Sequence, residues 1–308
     1  MTDREQLLDE LRPVAFAIAY RMLGSVAEAE DVVQEALLRV HQTLEGGERI
    51  ASPRAFVATI TTRLAINELH SARARRERYV GDWLPEPIIT DARDDPAVHV
   101  EMADSLSVAL LTLLENLSPE QRAVLLLHDV FDYGYPEVAE IVGKREDNVR
   151  QLAARARRHV TGQRSGRRRA EATPEQRHEL AQRFFAAAED GDLAGLEALL
   201  AADVRLTGDG GGKVPALARS LHGRDRVART LITWAQIRAR VPEMSVRFVE
   251  VNGDPGAMFL DGHQRVVGVW AIEIDGDKIT SVSSIVNPEK LTHLGPVGDF
   301  GTLLRQAG

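Results

Sequence analysis

The chain has 308 residues, 44% of them hydrophobic, enough for two or three domains with cores of their own. It contains no cysteine, which excludes disulfides and thiolate metal centres. The formal net charge of −8 argues against a uniformly nucleic-acid-binding surface.

That charge is unevenly spread. From Lys144 to Arg169 ten Lys/Arg stand against Glu146 and Asp147, a local charge of +8. From Arg63 to Arg78 five Arg stand against Glu68 and Glu77, a local charge of +3. Two basic segments on an acidic chain suggest two local contacts with phosphate. The charged start (Asp3, Arg4, Glu5) lacks the apolar core of a secretory leader, and no apolar run reaches membrane-spanning length. A cytoplasmic setting without membrane contact is expected. No residue pattern calls for a metal or a cofactor.

Residues 1–80 read as all-helical. Leu7, Leu8, Leu11, Ala15, Ile18 and Ala19 fit one helical face. A strong helix follows from Ala27 to Leu44. Its buried stripe is Ala29, Val33, Ala36, Leu37 and Val40, and its polar face is Glu28, Asp31, Gln34 and Glu35. After Gly46–Gly47, Ser52-Pro53 caps and opens a third helix with Phe56, Ile60, Leu64 and Leu69 inward. Residues 81–104 are a linker, because Pro85, Pro87 and Pro96 prevent a continuous helix. Yet Trp83, Leu84, Ile88 and Ile89 are apolar, so this linker is expected to lie against something.

Residues 105–165 are helical again. Ser118 is a cap with Gln121 at the capping-box spacing. Tyr135 to Arg158 reads as a helix-turn-helix. Val138, Ala139, Ile141 and Val142 line the first helix, and Gly143 ends it as a residue free to take positive φ. Val149, Ala153 and Ala156 turn the second helix inward, while Arg150, Gln151, Arg155 and Arg157 face out. That arrangement makes duplex DNA the first partner to consider. Leu152 points outward by periodicity and is out of place there.

Residues 173–308 open on another cap, Thr173-Pro174-Glu175-Gln176, followed by two helices. The period then changes. Residues 204–207, 245–251, 257–260, 265–274 and 278–286 read as strands, with one helix, Arg224 to Ala239, among them. This is an α+β domain with a mostly antiparallel sheet.

Several stretches resemble the extracytoplasmic-function (ECF) sigma factors of bacterial RNA polymerase. They are AEAEDVVQEALLRV (27–40), PRAFVATITTRLAINEL (53–69) and LSPEQRAVLLLHDVFDYGYPEVAEIVG (117–143). WLPEP (83–87), DGGGK (209–213) and NPEKL (287–291) resemble motifs of the ECF group that carries a C-terminal SnoaL-like domain of NTF2-like fold. Glu289 stands where that motif usually has Asp.

The resemblance implies a multidomain chain: two all-α sigma domains, a sigma-2 helical bundle and a sigma-4 helix-turn-helix, followed by an α+β cone. It implies core RNA polymerase and promoter DNA as partners, with Asp31, Gln34 and Glu35 on the polymerase. Arg63, Asn67, Arg73, Arg75 and Arg76 would meet the melted −10 element. Many relatives have Asn in place of Arg63. Lys144, Arg145, Asn148, Arg150, Gln151, Arg155 and Arg158 would meet the −35 duplex. It further implies a regulatory junction of Trp83, Leu84, Pro85, Glu86 and Pro87 with Asp209, Gly210, Gly211, Gly212 and Lys213, and with Asn287, Pro288, Glu289, Lys290 and Leu291.

The cone leaves room for an unidentified small-molecule ligand. An enzyme of cyclase or isomerase type fused to a DNA-binding domain is the alternative. Its candidate bases are Asp209, His222 and Asp261. A non-enzymatic regulator is the favoured reading.

Overall fold

The computed structural model describes residues 3–76, 79–90, 107–163, 172–241 and 243–307. Among these residues seven helices come first: α1 (Asp3–Leu23), α2 (Val26–Glu45), α3 (Pro53–Arg76), α4 (Val108–Leu114), α5 (Pro119–Asp129), α6 (Tyr135–Val142) and α7 (Glu146–Gln163). Then come α8 (Pro174–Asp190), α9 (Leu193–Leu199), β1 (Leu200–Asp209), β2 (Leu221–His222), α10 (Arg224–Ala239), β3 (Ser245–Val251), β4 (Asp254–Leu260), β5 (Val266–Asp275), β6 (Lys278–Ile285) and α11 (Phe300–Ala307). They form two compact units. The first holds α1–α3 and the chain from Leu110 through α7; the second holds residues 79–90 and everything from α8 onward.

In the first unit α1 packs on α2 and α3, burying Val14, Ile18 and Tyr20 together with Val33, Ala36 and Val40. Each fully buried aliphatic side chain contributes about 1.5–3 kcal/mol. On α2 the buried stripe takes in Val32, while Leu37 is only half-buried. On α3 the fully buried row is Val57, Ala58, Thr61, Thr62, Ala65 and Leu69; Phe56, Ile60 and Leu64 are half-buried. Crowding explains the shift. α3 is flanked by α1 and α2 and also by α5 and α6, and small side chains let helices approach from both sides. The capping box is present at Ser118, whose hydroxyl accepts from the Gln121 N–H at 3.2 Å. Buried Arg122 donates to the Leu114 carbonyl at 3.0 Å, pairs with Glu115 at 2.8 Å and reaches the Met22 carbonyl, so one guanidinium ties α5 to α1.

The second unit is built on a six-stranded sheet of order β2-β1-β6-β5-β4-β3. β1 and β6 are parallel and all other neighbours antiparallel. Alternation along β4 and β5 sends Ala257 and Ile272 to one face, under Phe184, Leu196, Val227 and Leu231 of α8–α10. Met258, Val269 and Ala271 go to the other face, where the cover is Leu84 of the linker and Leu291. The linker also extends the edge strand. Ile89 bridges Val251, Thr90 N–H donates to the Glu250 carbonyl at 2.9 Å, and Asn252 N–H donates to the Ile88 carbonyl at 2.8 Å. Residues 88–90 therefore pair with backbone groups at the end of that edge strand.

Candidate functional site

Three surfaces and one cavity matter. On α2, Asp31 and Gln34 are exposed and Glu35 is half-buried, all on one face. Glu35 accepts from Arg39 at 2.8 Å. Leu38, 49% exposed, stands one turn further along the same face. Sequence reading missed it, because a leucine in an amphipathic helix is assigned inward by default.

In the helix-turn-helix, Val138, Ile141, Val149 and Ala153 form a closed core with Val124 and Leu127. Gly143 has φ 64°, the left-handed turn its position requires. Lys144, Arg145, Asn148, Arg150, Gln151, Arg155 and Arg158 are all exposed on or just before α7. Arg150 pairs with Glu146 at 2.5 Å and lies 4.4 Å over the Tyr135 ring. Arg157 is committed elsewhere. It pairs with Asp129 and donates to the Tyr135 hydroxyl at 3.2 Å, and the Asp129 hydrogen bond raises its pKa further. Leu152 is half-buried and packs against the helix-turn-helix core, so the motif itself accounts for it.

Arg63 and Asn67 are both exposed on α3. The Arg63 guanidinium donates to the carbonyls of Glu140 and Ile141 at 2.9 Å each. These are last-turn carbonyls of α6, and that of Glu140 also accepts from the capping Gly143 N–H at 3.3 Å. Arg73, Arg75 and Arg76 lie on the last turns of α3, their side chains outside the described residues, as are Arg78 and Arg164–Arg169.

The junction is buried and within the second unit. The Asp209 carboxylate, its side chain 0% exposed, pairs with Lys290 at 2.7 Å. It also accepts from the Leu84 N–H at 2.8 Å, the Gly211 N–H at 3.0 Å and the Tyr79 hydroxyl. The Lys290 ammonium reaches the Leu84 carbonyl and lies 4.1 Å over the Trp83 ring and 4.9 Å over the Tyr79 ring. Asn287 donates to the Tyr79 hydroxyl at 2.8 Å, and His293 is 2.8 Å from the Pro87 carbonyl. Around this core Leu84, Pro85 and Pro87 are buried, and Asp82 accepts from Ser220 at 2.6 Å. Outside it, Lys213 pairs with Glu289 on the exposed rim.

The glycines of 209–213 are there for space. A side chain on Gly210 would place its Cβ 2.3 Å from the Val214 carbonyl oxygen, and one on Gly211, at φ 58°, would stand 2.3 Å from Asn287. Burial, with the Asp209 contact second, pushes the Tyr79 hydroxyl far above its ordinary pKa. Tyr79 lies just outside the WLPEP stretch, and nothing in its local sequence marks it.

The cavity, about 330 Å³, lies inside the cone. None of the three candidate bases lines it. Asp209 is taken by Lys290, and His222 is exposed on β2. Asp261 closes the β4–β5 turn, accepting from the N–H groups of His263 and Arg265 at 2.9 Å and from the Arg265 guanidinium. Burial opposes ionisation of Asp261, but these donors hold its pKa below the usual value. Among the described residues no group of three or more His, Asp or Glu could hold a metal, and no helix is long and apolar enough to cross a membrane.

Comparison with known proteins accounts for this arrangement. Residues 7–75 match Sigma-70 region 2, residues 107–160 match Sigma-70 region 4, and residues 181–282 match the SnoaL-like domain. The ECF RNA polymerase sigma factor SigJ of Mycobacterium tuberculosis is 38% identical over 92% of each chain. The chain is an ECF sigma factor with a C-terminal SnoaL-like domain. A second M. tuberculosis relative, the probable ECF sigma factor SigI, is 32% identical over 90% of this chain and 91% of its own. The crystal structure of SigJ superposes with a TM-score of 0.76 at 35% identity, covering 94% of this chain and 98% of that one. The helical sigma regions and the mixed-sheet cone of this sigma factor are thus the family's architecture, and the enzyme-fusion alternative is not favoured.

Proposed function

We propose that this sigma factor binds core polymerase in the cytoplasm through the α2 face of Asp31, Gln34 and Glu35, with Leu38 as its apolar centre. Its promoter contacts follow from exposure and charge. α7 presents Asn148, Arg150, Gln151 and Arg155 to the edges of a duplex element, and Lys144, Arg145 and Arg158 to phosphates. α3 presents Asn67 and its terminal arginines to a melted element. Arg63 joins them only after leaving the Glu140 and Ile141 carbonyls, so promoter engagement competes with the α3–α6 contact. In this reading residues 1–80, 81–104, 105–165 and 173–308 are the functional segments.

The C-terminal domain is a regulator without catalysis. One observation carries this. Stretches 79–84, 209–213 and 287–291, far apart in sequence, share a single buried ion pair, Asp209–Lys290. The linker is thereby clasped: residues 79–90 are fixed, and less of the chain joining the two DNA-reading modules is free to extend. A tighter joint restrains the reach of those modules.

In vitro transcription with core enzyme tests both halves. Asp31→Lys with Glu35→Lys abolishes capture of core enzyme, and Asp209→Ala raises promoter output. Retained capture removes the polymerase assignment; unchanged output removes the restraint.

A further inference from the structure

α10 and its flanks carry a charge that the rest of their domain does not. Between Lys213 and Arg247 eight Lys/Arg stand against Asp225 and Glu243, a local charge of +6. On either side the domain is acidic: eight Asp/Glu against three Arg over 173–212, and eight against four Lys/Arg over 248–308. This is a third basic stretch on an acidic chain, and it lies outside both sigma regions.

Helical geometry gathers the cations. α10 turns Val227, Ala228 and Leu231 into the core. Arg226, Arg229, Thr233, Gln236 and the closing Arg240 recur at steps of three and four and are all exposed, so they form one outward stripe. At 1.5 Å per residue Arg226 and Arg240 lie about 21 Å apart. Two other arginines of the helix serve the domain itself: Arg224 donates to the Leu200 carbonyl at 3.0 Å, and Arg238 pairs with Glu189 at 2.6 Å. On the stripe, Arg229 pairs with Asp225 at 2.8 Å, an exposed pair that is readily exchanged. Among the described residues the guanidinium groups of Arg226 and Arg240 have no partner. Arg226 also works against its own helix. It stands in the first turn, where the macrodipole disfavours a cation, and three residues from Arg229, a like charge.

The chemistry of the stripe selects its partner. The exposed residues of α10 are Asp225, Arg226, Arg229, Thr233, Gln236 and Ala239, with no large apolar side chain among them. A protein interface is built round an apolar centre, which this face lacks. A phosphate backbone needs only cations and hydrogen-bond donors. The Thr233 hydroxyl donates to the Arg229 carbonyl at 2.9 Å, so the donors left facing out are guanidinium and amide, both of which take phosphate oxygens.

We propose that the outer face of α10 is a contact for the phosphate backbone of duplex DNA, indifferent to base sequence and about six base pairs long at 3.4 Å each. It adds to the contacts of α3 and α7. It rests on the reading of this chain as a DNA binder, and on no single residue of α7.

The test is fluorescence anisotropy of a labelled duplex of arbitrary sequence with the full chain, between about 50 and 200 mM salt. Each neutralised phosphate contributes about 0.9 to the slope of log K against log salt. Arg226→Ala with Arg240→Ala should lower that slope by about two and weaken binding about tenfold at the low-salt end; Arg240→Ala alone should lower it by about one. Arg226→Lys with Arg240→Lys keeps both charges and keeps the slope. The thermal midpoint of the alanine pair should be unchanged or slightly raised, because no internal contact is lost and a like-charge repulsion is relieved.

An unchanged slope in the alanine pair and in Arg240→Ala overturns the proposal, as does a lysine pair that behaves like the alanine pair. Unchanged DNA binding with weakened retention on immobilised polyglutamate assigns the face to an acidic protein and overturns it too. Arg158→Ala on α7 separates the failures. A slope lowered by Arg158→Ala but not by the alanine pair removes the α10 contact and leaves promoter reading intact. No binding by the unaltered chain removes both.

Discussion

Replacing Asp209 by Ala leaves a defined set of groups without their partner. The Lys290 ammonium, its side chain 7% exposed, loses its counter-ion; the Leu84 and Gly211 N–H groups and the Tyr79 hydroxyl lose their acceptor. Removing one member of a buried ion pair costs about 3–5 kcal/mol. Lys290 keeps the Leu84 carbonyl and the faces of Trp83 and Tyr79, which favours the lower end, about 3 kcal/mol. That shifts the docking equilibrium of the linker about 150-fold. Denaturant titration monitored by tryptophan emission reads the loss, and amide exchange at Leu84 and Ile88 reads the release. The double replacement Asp209→Leu with Lys290→Met strands no charge and should recover part of the stability, giving a large coupling energy. A loss below about 1 kcal/mol for Asp209→Ala, with protection of Leu84 unaltered, would refute the reasoning.

Other outcomes follow from the same geometry. Gly211→Ala forces a side chain into left-handed backbone and against Asn287, costing about 2 kcal/mol or more in a thermal melt of the C-terminal unit. Tyr79 should stay protonated far into alkali. Its raised pKa favours the neutral form in the folded state, so this contribution is complete below about pH 10 and fades only above it. Tyr79→Phe therefore leaves the tyrosinate absorbance step between about pH 9 and 11 unchanged, and a smaller step contradicts the burial. On promoter duplexes, fluorescence anisotropy should separate two roles. Arg150→Ala costs about 1–3 kcal/mol and relaxes preference at one base, whereas Arg158→Ala weakens all sequences alike and lowers the salt slope by about one.

Local signals in the sequence were faithful where one element fixes its own ends. Ser118 and Thr173 form the capping boxes their spacing implies, Gly143 takes its left-handed turn, and alternation placed β3 and β6 to within a residue. β2, two residues long, is too short for a period to register. Long-range partners were the illegible part. Lys290 reads as a surface lysine until Asp209, 81 positions earlier, meets it. Arg63 reads as a free cation until carbonyls 77 and 78 residues later accept from it. Trp83, Ile88 and Ile89 announced that the linker would dock, but not that it would cover the second face of the sheet.

The clasp also orders events during synthesis. Its first strip, 79–84, leaves the ribosome about 200 residues before its last, 287–291, which at 5–20 residues per second is roughly 10–40 s. For that interval the sigma regions exist as a nascent chain before the Asp209–Lys290 pair can form. Any message truncated before codon 287 would yield a product in which that pair can never close.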